Sequence, residues 1–353
     1  MIGPMSPGAG APSPGAPESR GLTVSGSERV RLRLSASRQI VLRRRGLLLA
    51  AAATAALAGC SIRLEDDAPS LPLLQRKSMP DEKELIAGFT LATSLTQMAG
   101  RIPGAPALVS QLSGIHETQA KVLHALLARG GVPDHDIQST AATGTATTAT
   151  ATAAVSAPPP ASVQLLAGTE ATAVAPAALA GVAAATAANR MVLTAIAAQR
   201  ACAVAVLGTT VAWPTADPLP PAAAAGLLDA TRSVAYAFEV VAAQLGADAR
   251  PAALDTLSQL RARERDLSSM AGESAASVPL GYTLPFAVTT PELARSLAGV
   301  VLTQLVAGGL GPVPTLPSTG TALTVLVRLQ AEAQSLAHGW GVAMVPFPGM
   351  AYP

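Results

Sequence analysis

LLDATRSVAYAFEVVAAQLG, Leu227 to Gly246, is the stretch that decides the fold. Leu227, Thr231, Val234, Phe238, Val241 and Leu245 follow one another at steps of 4, 3, 4, 3 and 4 residues. That period lays them along one side of an α-helix and leaves Asp229, Arg232, Glu239 and Gln244 off it. Gly246 and Pro251 end the helix. The segments that follow repeat the plan. Leu257, Leu260, Glu264 and Leu267 mark a second helix, and Thr290-Pro291-Glu292 opens a third as a capping hydroxyl before a proline at the first helical position. Val325, Leu329, Glu332 and Leu336 stripe a fourth, expected over about 318–343. Four amphipathic helices with short connections make an up-down bundle.

Upstream, the same logic yields a second set. Ser78-Met79-Pro80-Asp81-Glu82 reads as a helix start, with Leu85, Phe89, Ala92, Leu95 and Ala99 on its apolar side and Pro103-Gly104 as its end. A helix over about 105–128 follows, closed by Gly130, Gly131 and Pro133. Residues 139–162 are a Thr/Ala-rich low-complexity insert ending in three prolines. Such a tract reads as an unmodified surface loop or as a glycosylated stalk. Residues 162–208 are helical again, with a break near Pro176, and the prolines between Trp213 and Pro221 are the expected domain boundary. The fold class is therefore all-α: two four-helix bundles, 80–212 and 219–350.

Composition agrees with helices and narrows function. Aromatic residues are 3% and charged residues 13% of 353, so there is little to stack on bases and no basic excess for phosphate; nucleic acid is excluded as a partner. The formal charge of +2 belongs to the leader. Residues 1–59 hold eight Arg and two Glu, and the remainder carries a formal charge of −4.

That leader is the clearest address. Residues 1–38 are rich in Pro, Gly and Ser and lack an apolar period. Arg43, Arg44 and Arg45 then precede an apolar run of 14 residues, Gly46–Gly59, too short to span a bilayer but right for a signal peptide. Leu57-Ala58-Gly59-Cys60 resembles the bacterial lipobox. The resemblance implies cleavage before Cys60 and a diacylglyceryl thioether on its sulfur, anchoring the protein to the outer face of the cell membrane with residues 60–79 as tether. Arg44-Arg45-Gly46-Leu47-Leu48 also resembles a twin-arginine export signal, the general secretory route being the other reading. With Cys60 lipidated, Cys202 stands alone among small apolar neighbours and reads as a buried thiol.

The C-terminal half resembles an uncharacterised ferritin-like domain family of exported lipoproteins from high-GC Gram-positive bacteria. The matching pieces are Tyr236-Ala237-Phe238-Glu239, Arg261 to Leu267, Gly281-Tyr282-Thr283-Leu284-Pro285 and the tail Pro346-Phe347-Pro348-Gly349. The likeness covers about 222–350. It implies a ferritin-like bundle in a lipoprotein setting and no known reaction. Where members often carry Glu-His, this chain has Thr231-Arg232.

A ferritin-like di-metal centre draws Glu-x-x-His from two helices. This chain contains none, and its four His are 116, 124, 135 and 338. No metal site and no cofactor are expected. Glu117 and Lys121 are read as an i,i+4 ion pair, and His116 and His124 as solvated helix surface. There is no Gly-x-Ser-x-Gly elbow and no phosphate loop. Polar residues on apolar stripes are the remaining signal. Thr231, Glu264 and Glu332, with Arg232, Arg263 and Arg328 as partners, read as an internal salt-bridge network or as a polar pocket for a small ligand. The expected function is non-enzymatic: a membrane-tethered module that binds or scaffolds an envelope protein. The alternatives are a carrier of a small apolar or lipid-like ligand and, third, a ferritin-class redox enzyme.

Overall fold

The computed structural model of the chain describes residues 76–138, 161–316, 318 and 321–350. Arg44, Arg45, Leu57, Ala58, Gly59 and Cys60, and nearly all of the Thr/Ala-rich insert, lie outside the described residues. Those described are helical, with no strand among them. The α-helices are α1 (Glu82–Gly100), α2 (Ala107–Arg129), α3 (Val163–Ala171), α4 (Pro176–Ala184), α5 (Ala187–Val206), α6 (Pro221–Gln244), α7 (Arg250–Ala271), α8 (Pro291–Gly308) and α9 (Ala322–Gly339).

Proline and hydroxyl caps set most of the starts. Pro176, Pro221, Pro251 and Pro291 occupy the first turn of their helices, where the missing N–H costs nothing. Ser162 and Thr290 accept from Leu165 N and Leu293 N. The start of α1 differs from expectation. Ser78 does not cap it; the N-cap is Asp81, with φ 59 and no side-chain cap. The Asp81 carboxylate instead crosses to the start of α5. There it accepts from Thr186 N and Asn189 Nδ2, both at 2.9 Å, and from the Thr186 hydroxyl. The break between α4 and α5 has no Gly or Pro to announce it. It is held by Asp81 and by Arg190, whose guanidinium donates to the Ala185 and Leu316 carbonyls.

Two hairpins, α1–α2 and α6–α7, are the most extensive helix pairings. Between them α5 is the central element, packed against α3, α4 and α9, while α8 joins α6 to α9. All six residues of the deciding stripe on α6 are buried, and Phe238 at its centre meets Trp340 edge-on with ring centroids 5.3 Å apart. The stretch containing α8 is apolar and long enough to cross a membrane, yet half of it is buried against its neighbours, as in any core helix.

The described residues all fall within one compact unit. The prolines at 213–221 are not a gap in the packing: Leu219, Leu227 and Leu228 share a core cluster with Leu85, Leu112 and Leu193. The C-terminal segment strengthens this union, since the Pro346 carbonyl accepts from Gln119 Nε2 on α2 at 2.9 Å.

Two stripes are shifted from expectation. On α7 the buried residue between Leu260 and Leu267 is Arg263, not Glu264; a 3.6-residue period falls midway between the two positions. On α9 the fully buried side includes Leu326, Gln330, Ala333 and Ala337, while Val325, Glu332 and Leu336 are half-buried. That helix ends at Gly339, before the expected 343, because Gly341 turns the chain at φ 79.

Candidate functional site

The residues expected to form one internal polar network are dispersed. Thr231 is buried but spends its hydroxyl on the Leu227 carbonyl one turn back. Arg232 pairs with Glu264 at 3.2 Å and donates to the Ala276 carbonyl. Glu332 pairs with Arg328 at 2.8 Å on a partly exposed face of α9. The carboxylates are therefore half-buried in two separate ion pairs.

Glu332 and Arg328 do border a cleft. The backbones of α7 and α9 are not close neighbours, and the chain leaving α5 crosses the opening between them. The cleft is an open groove of about 960 Å³, at the upper end of the range for small-molecule sites. Ala201, Ala205, Ala252 and Ala331 contribute small side chains to it. Trp213 and Trp340, the only two tryptophans in the sequence, both line it. Polar groups line it as well: Thr209 and Thr210 hydroxyls, Asp255, Gln259, and the Arg328–Glu332 pair. Gln259 Nε2 donates to Asp255 Oδ2 at 2.8 Å, one helical turn apart on α7. Trp340 Nε1 donates to Thr256 Oγ1 at 3.0 Å, which fixes its indole across from α7. A second hollow of about 390 Å³ shares Trp213, Gln259, Arg328 and Glu332 with the first and runs on toward Arg263 and Asp266.

Arg263 lies between the two helices. Its Nη1 donates to the Leu329 carbonyl at 2.8 Å, while Nε and Nη2 have no hydrogen-bond partner. Burial brings its pKa down to about 10, opposed by the nearby Glu332 carboxylate. Ser335 reaches the same cleft, with its hydroxyl bonded to the Ala331 carbonyl at 2.9 Å and 3.3 Å from Cys202 Sγ. Cys202 itself is buried, and burial pushes its thiol up to about 12. No histidine lines the cleft, and the Ser335 hydroxyl bonds to a backbone carbonyl and to the thiol, with no imidazole or carboxylate bonded to either.

A second polar group was missed by the stripe reading. His116, expected at the surface, is wholly buried on α2, and its Nε2 stands 2.6 Å from Glu170 Oε1 on α3. The contact is close but off the hydrogen-bonding direction, and both Glu170 oxygens lack a hydrogen-bond donor. Gln119 Nε2 donates to Gln199 Oε1 at 2.9 Å. Arg200 completes the group. Burial brings its pKa down to about 10, partly offset by the charge of Glu170. Leu112, His116, Gln119 and Leu123 repeat at 4, 3 and 4, so His116 was legible as an interior residue. Glu170 lies in a helix too short to show a period. The exposed residues of α2 follow expectation: Lys121 Nζ is 2.6 Å from Glu117 Oε1, and His124 faces Asp134 at 3.1 Å.

Arg200 also lines a cavity of about 280 Å³ between α1, α4 and α5, whose other walls include Leu91, Ala177, Val182, Leu193 and Ile196. Among the described residues no three His, Cys, Asp or Glu side chains gather as a metal site would require.

No protein family, no curated protein and no solved structure matches the chain. The ferritin-like resemblance rests on the short motifs quoted above.

Proposed function

We propose that the protein is a non-catalytic binding module, exported and held at the outer face of the cell membrane by a diacylglyceryl group on Cys60, with the α5–α7–α9 cleft as its binding site. One observation carries the binding reading. An Ala-lined cleft of about 960 Å³ gathers both tryptophans and a set of hydrogen-bonding side chains in one place. The hydroxyl nearest it bonds to a backbone carbonyl and to the thiol, with no imidazole or carboxylate bonded to either, which favours binding over turnover. The anchoring reading rests on Leu57-Ala58-Gly59-Cys60 after its apolar run, and two acyl chains hold a protein stably where one does not.

A carrier of an apolar or lipid-like ligand is the second reading. The cavity between α1, α4 and α5 favours it, since its walls are mostly Ala, Leu, Val and Ile and its buried cation is Arg200.

Native mass spectrometry of the protein extracted from its own envelope tests both. A copurified small polar molecule supports the cleft, and a copurified acyl compound supports the carrier. A tightly copurified protein with the cleft empty returns the reading to a scaffold. Cys60→Ser tests the anchor separately: the protein should leave the membrane fraction and lose the mass of the lipid. Unchanged fractionation would overturn it.

A further inference from the structure

We propose that the cleft between α7 and α9 takes a neutral oligosaccharide; this deepens the binding reading above and rests on it. The argument is one of remaining chemistry. A cationic ligand needs an unengaged carboxylate. Glu332 is neutralised by Arg328 at 2.8 Å, Asp266 in the second hollow also lies in the field of Arg328, and Asp255, on the exposed face of α7, already accepts from Gln259. An anionic ligand needs an unengaged cation. Arg328 is committed to Glu332, and the buried Arg263, which donates to the Leu329 carbonyl, has its charge opposed by Glu332, so its unpartnered Nε and Nη2 remain as donors for a neutral oxygen. Opposed charges at a site leave little net field to select an ion.

What remains is dense in hydrogen bonding and weak in net charge. Thr209, Thr210 and Gln259 present hydroxyl and amide groups that both donate and accept. Asp255 and Gln259, and Arg328 and Glu332, bond to each other through one atom each, which leaves a further planar heteroatom on every one of them to meet a hydroxyl. Beside them stand the two indoles, rigid and flat. A ligand that satisfies both halves must carry hydroxyls in its plane and apolar C–H faces above and below. A pyranose ring does. A purely apolar molecule would strip water from the polar groups without replacing their hydrogen bonds. Length points the same way. The main cleft continues into the second hollow of about 390 Å³ through shared residues, which suits several linked rings better than one.

The protein carries its own reporter, because both tryptophans line the cleft and the sequence has no others. Intrinsic fluorescence of the Cys60→Ser protein should be titrated with neutral oligosaccharides of two to six hexose or N-acetylhexosamine units, α- and β-linked. Tetramethylammonium and decanoate serve as charged probes. A saturable change is expected with at least one oligosaccharide series and with neither charged probe. Trp213→Phe should weaken that binding tenfold or more. Asp255→Ala with Gln259→Ala, both exposed and free of core contacts, should do the same while leaving the urea midpoint unchanged. A saturable response to a charged probe alone overturns the oligosaccharide and leaves the cleft standing as a site. Silence toward every probe, with no small molecule copurifying from the envelope, overturns both.

Discussion

Around α2, α3 and α5 the interior holds His116, Gln119, Glu170, Gln199 and Arg200, each with 2% or less of its surface exposed. Around α6, α7 and α8 the equivalent space is filled by Phe238, Val241, Leu260, Leu297 and Leu302. The first region holds together only while its charges compensate one another in a medium that screens them poorly. The second depends on volume and shape, so it tolerates exchange of one apolar side chain for another of similar size. Each region has a buried arginine that donates to a backbone carbonyl, Arg200 to Gly88 and Arg263 to Leu329, but the carboxylate that opposes its charge is the buried Glu170 in the first and the half-exposed Glu332 in the second. Polar residues in an interior thus have two distinct settings here, one whose carboxylate is buried and one whose carboxylate stands at a cleft.

The largest expected effect concerns Cys202, on α5 where the two regions meet. Its thiol is buried and pushed up to about 12. In a Cys60→Ser protein, alkylation at pH 8 should be slower in the native state than in urea by a factor on the order of a thousand or more, since reaction awaits opening of the structure. Rapid native labelling would place α5 outside the core and dissolve the contrast. Next, Glu170→Leu should cost about 3–5 kcal/mol in urea unfolding, by stranding Arg200 and His116. Phe238→Ala should cost a similar ~3–5 kcal/mol by opening a void. The two regions are separated by second changes. Glu170→Leu combined with Arg200→Met should be milder than the sum of the singles, while no charge change rescues Phe238→Ala. Additivity of the Glu170 and Arg200 effects would break the comparison.

Gly309→Ala should cost about 1–3 kcal/mol, because an added methyl group would overlap the Gln330 side chain, whose amide donates to the Val306 carbonyl at 2.6 Å. The smallest effect falls on the tie between α1 and α5. Asp81→Ala removes the acceptor for Thr186 and Asn189 and should cost about 1 kcal/mol. Partial burial opposes ionisation of Asp81, but the Thr186 and Asn189 hydrogen bonds outweigh it and hold the carboxyl below its ordinary value of 3.8. A lowered carboxyl contributes stability above the unfolded value and loses it as pH falls through the folded one. The difference between wild type and variant should therefore be constant near neutral pH and shrink below about pH 3.8. A difference that grows in acid would contradict the assignment.

The α6 helix was readable residue by residue because one side of it faces the core and the rest does not. The α9 stripe was misplaced because that helix is buried against both α5 and α8, so more than one side is apolar and a single row has no contrast. Arg263 was named only as a partner, while Glu264 was assigned the interior, because two adjacent positions share one phase of the period. Asp81 could be read as belonging to a helix start, but not as closing a helix 105 residues away; pairings across that distance leave no local trace. The cleft follows the same rule. Asp255 and Gln259 are an ordinary i,i+4 surface pair in sequence, and Trp213 and Trp340 are 127 positions apart. Their meeting is a product of the fold, and the chemistry of the site with it.

The bond from Gln119 to the Pro346 carbonyl joins residues 227 positions apart. During synthesis from the N-terminus, α2 is finished long before the residue that completes its interior exists. A nascent or truncated chain that stops short of Pro346 leaves a buried amide with one acceptor fewer, a cost of about 1–3 kcal/mol. The segment around Pro346 therefore acts as a latch that closes only once the chain has reached that residue, and such long-range closure slows folding.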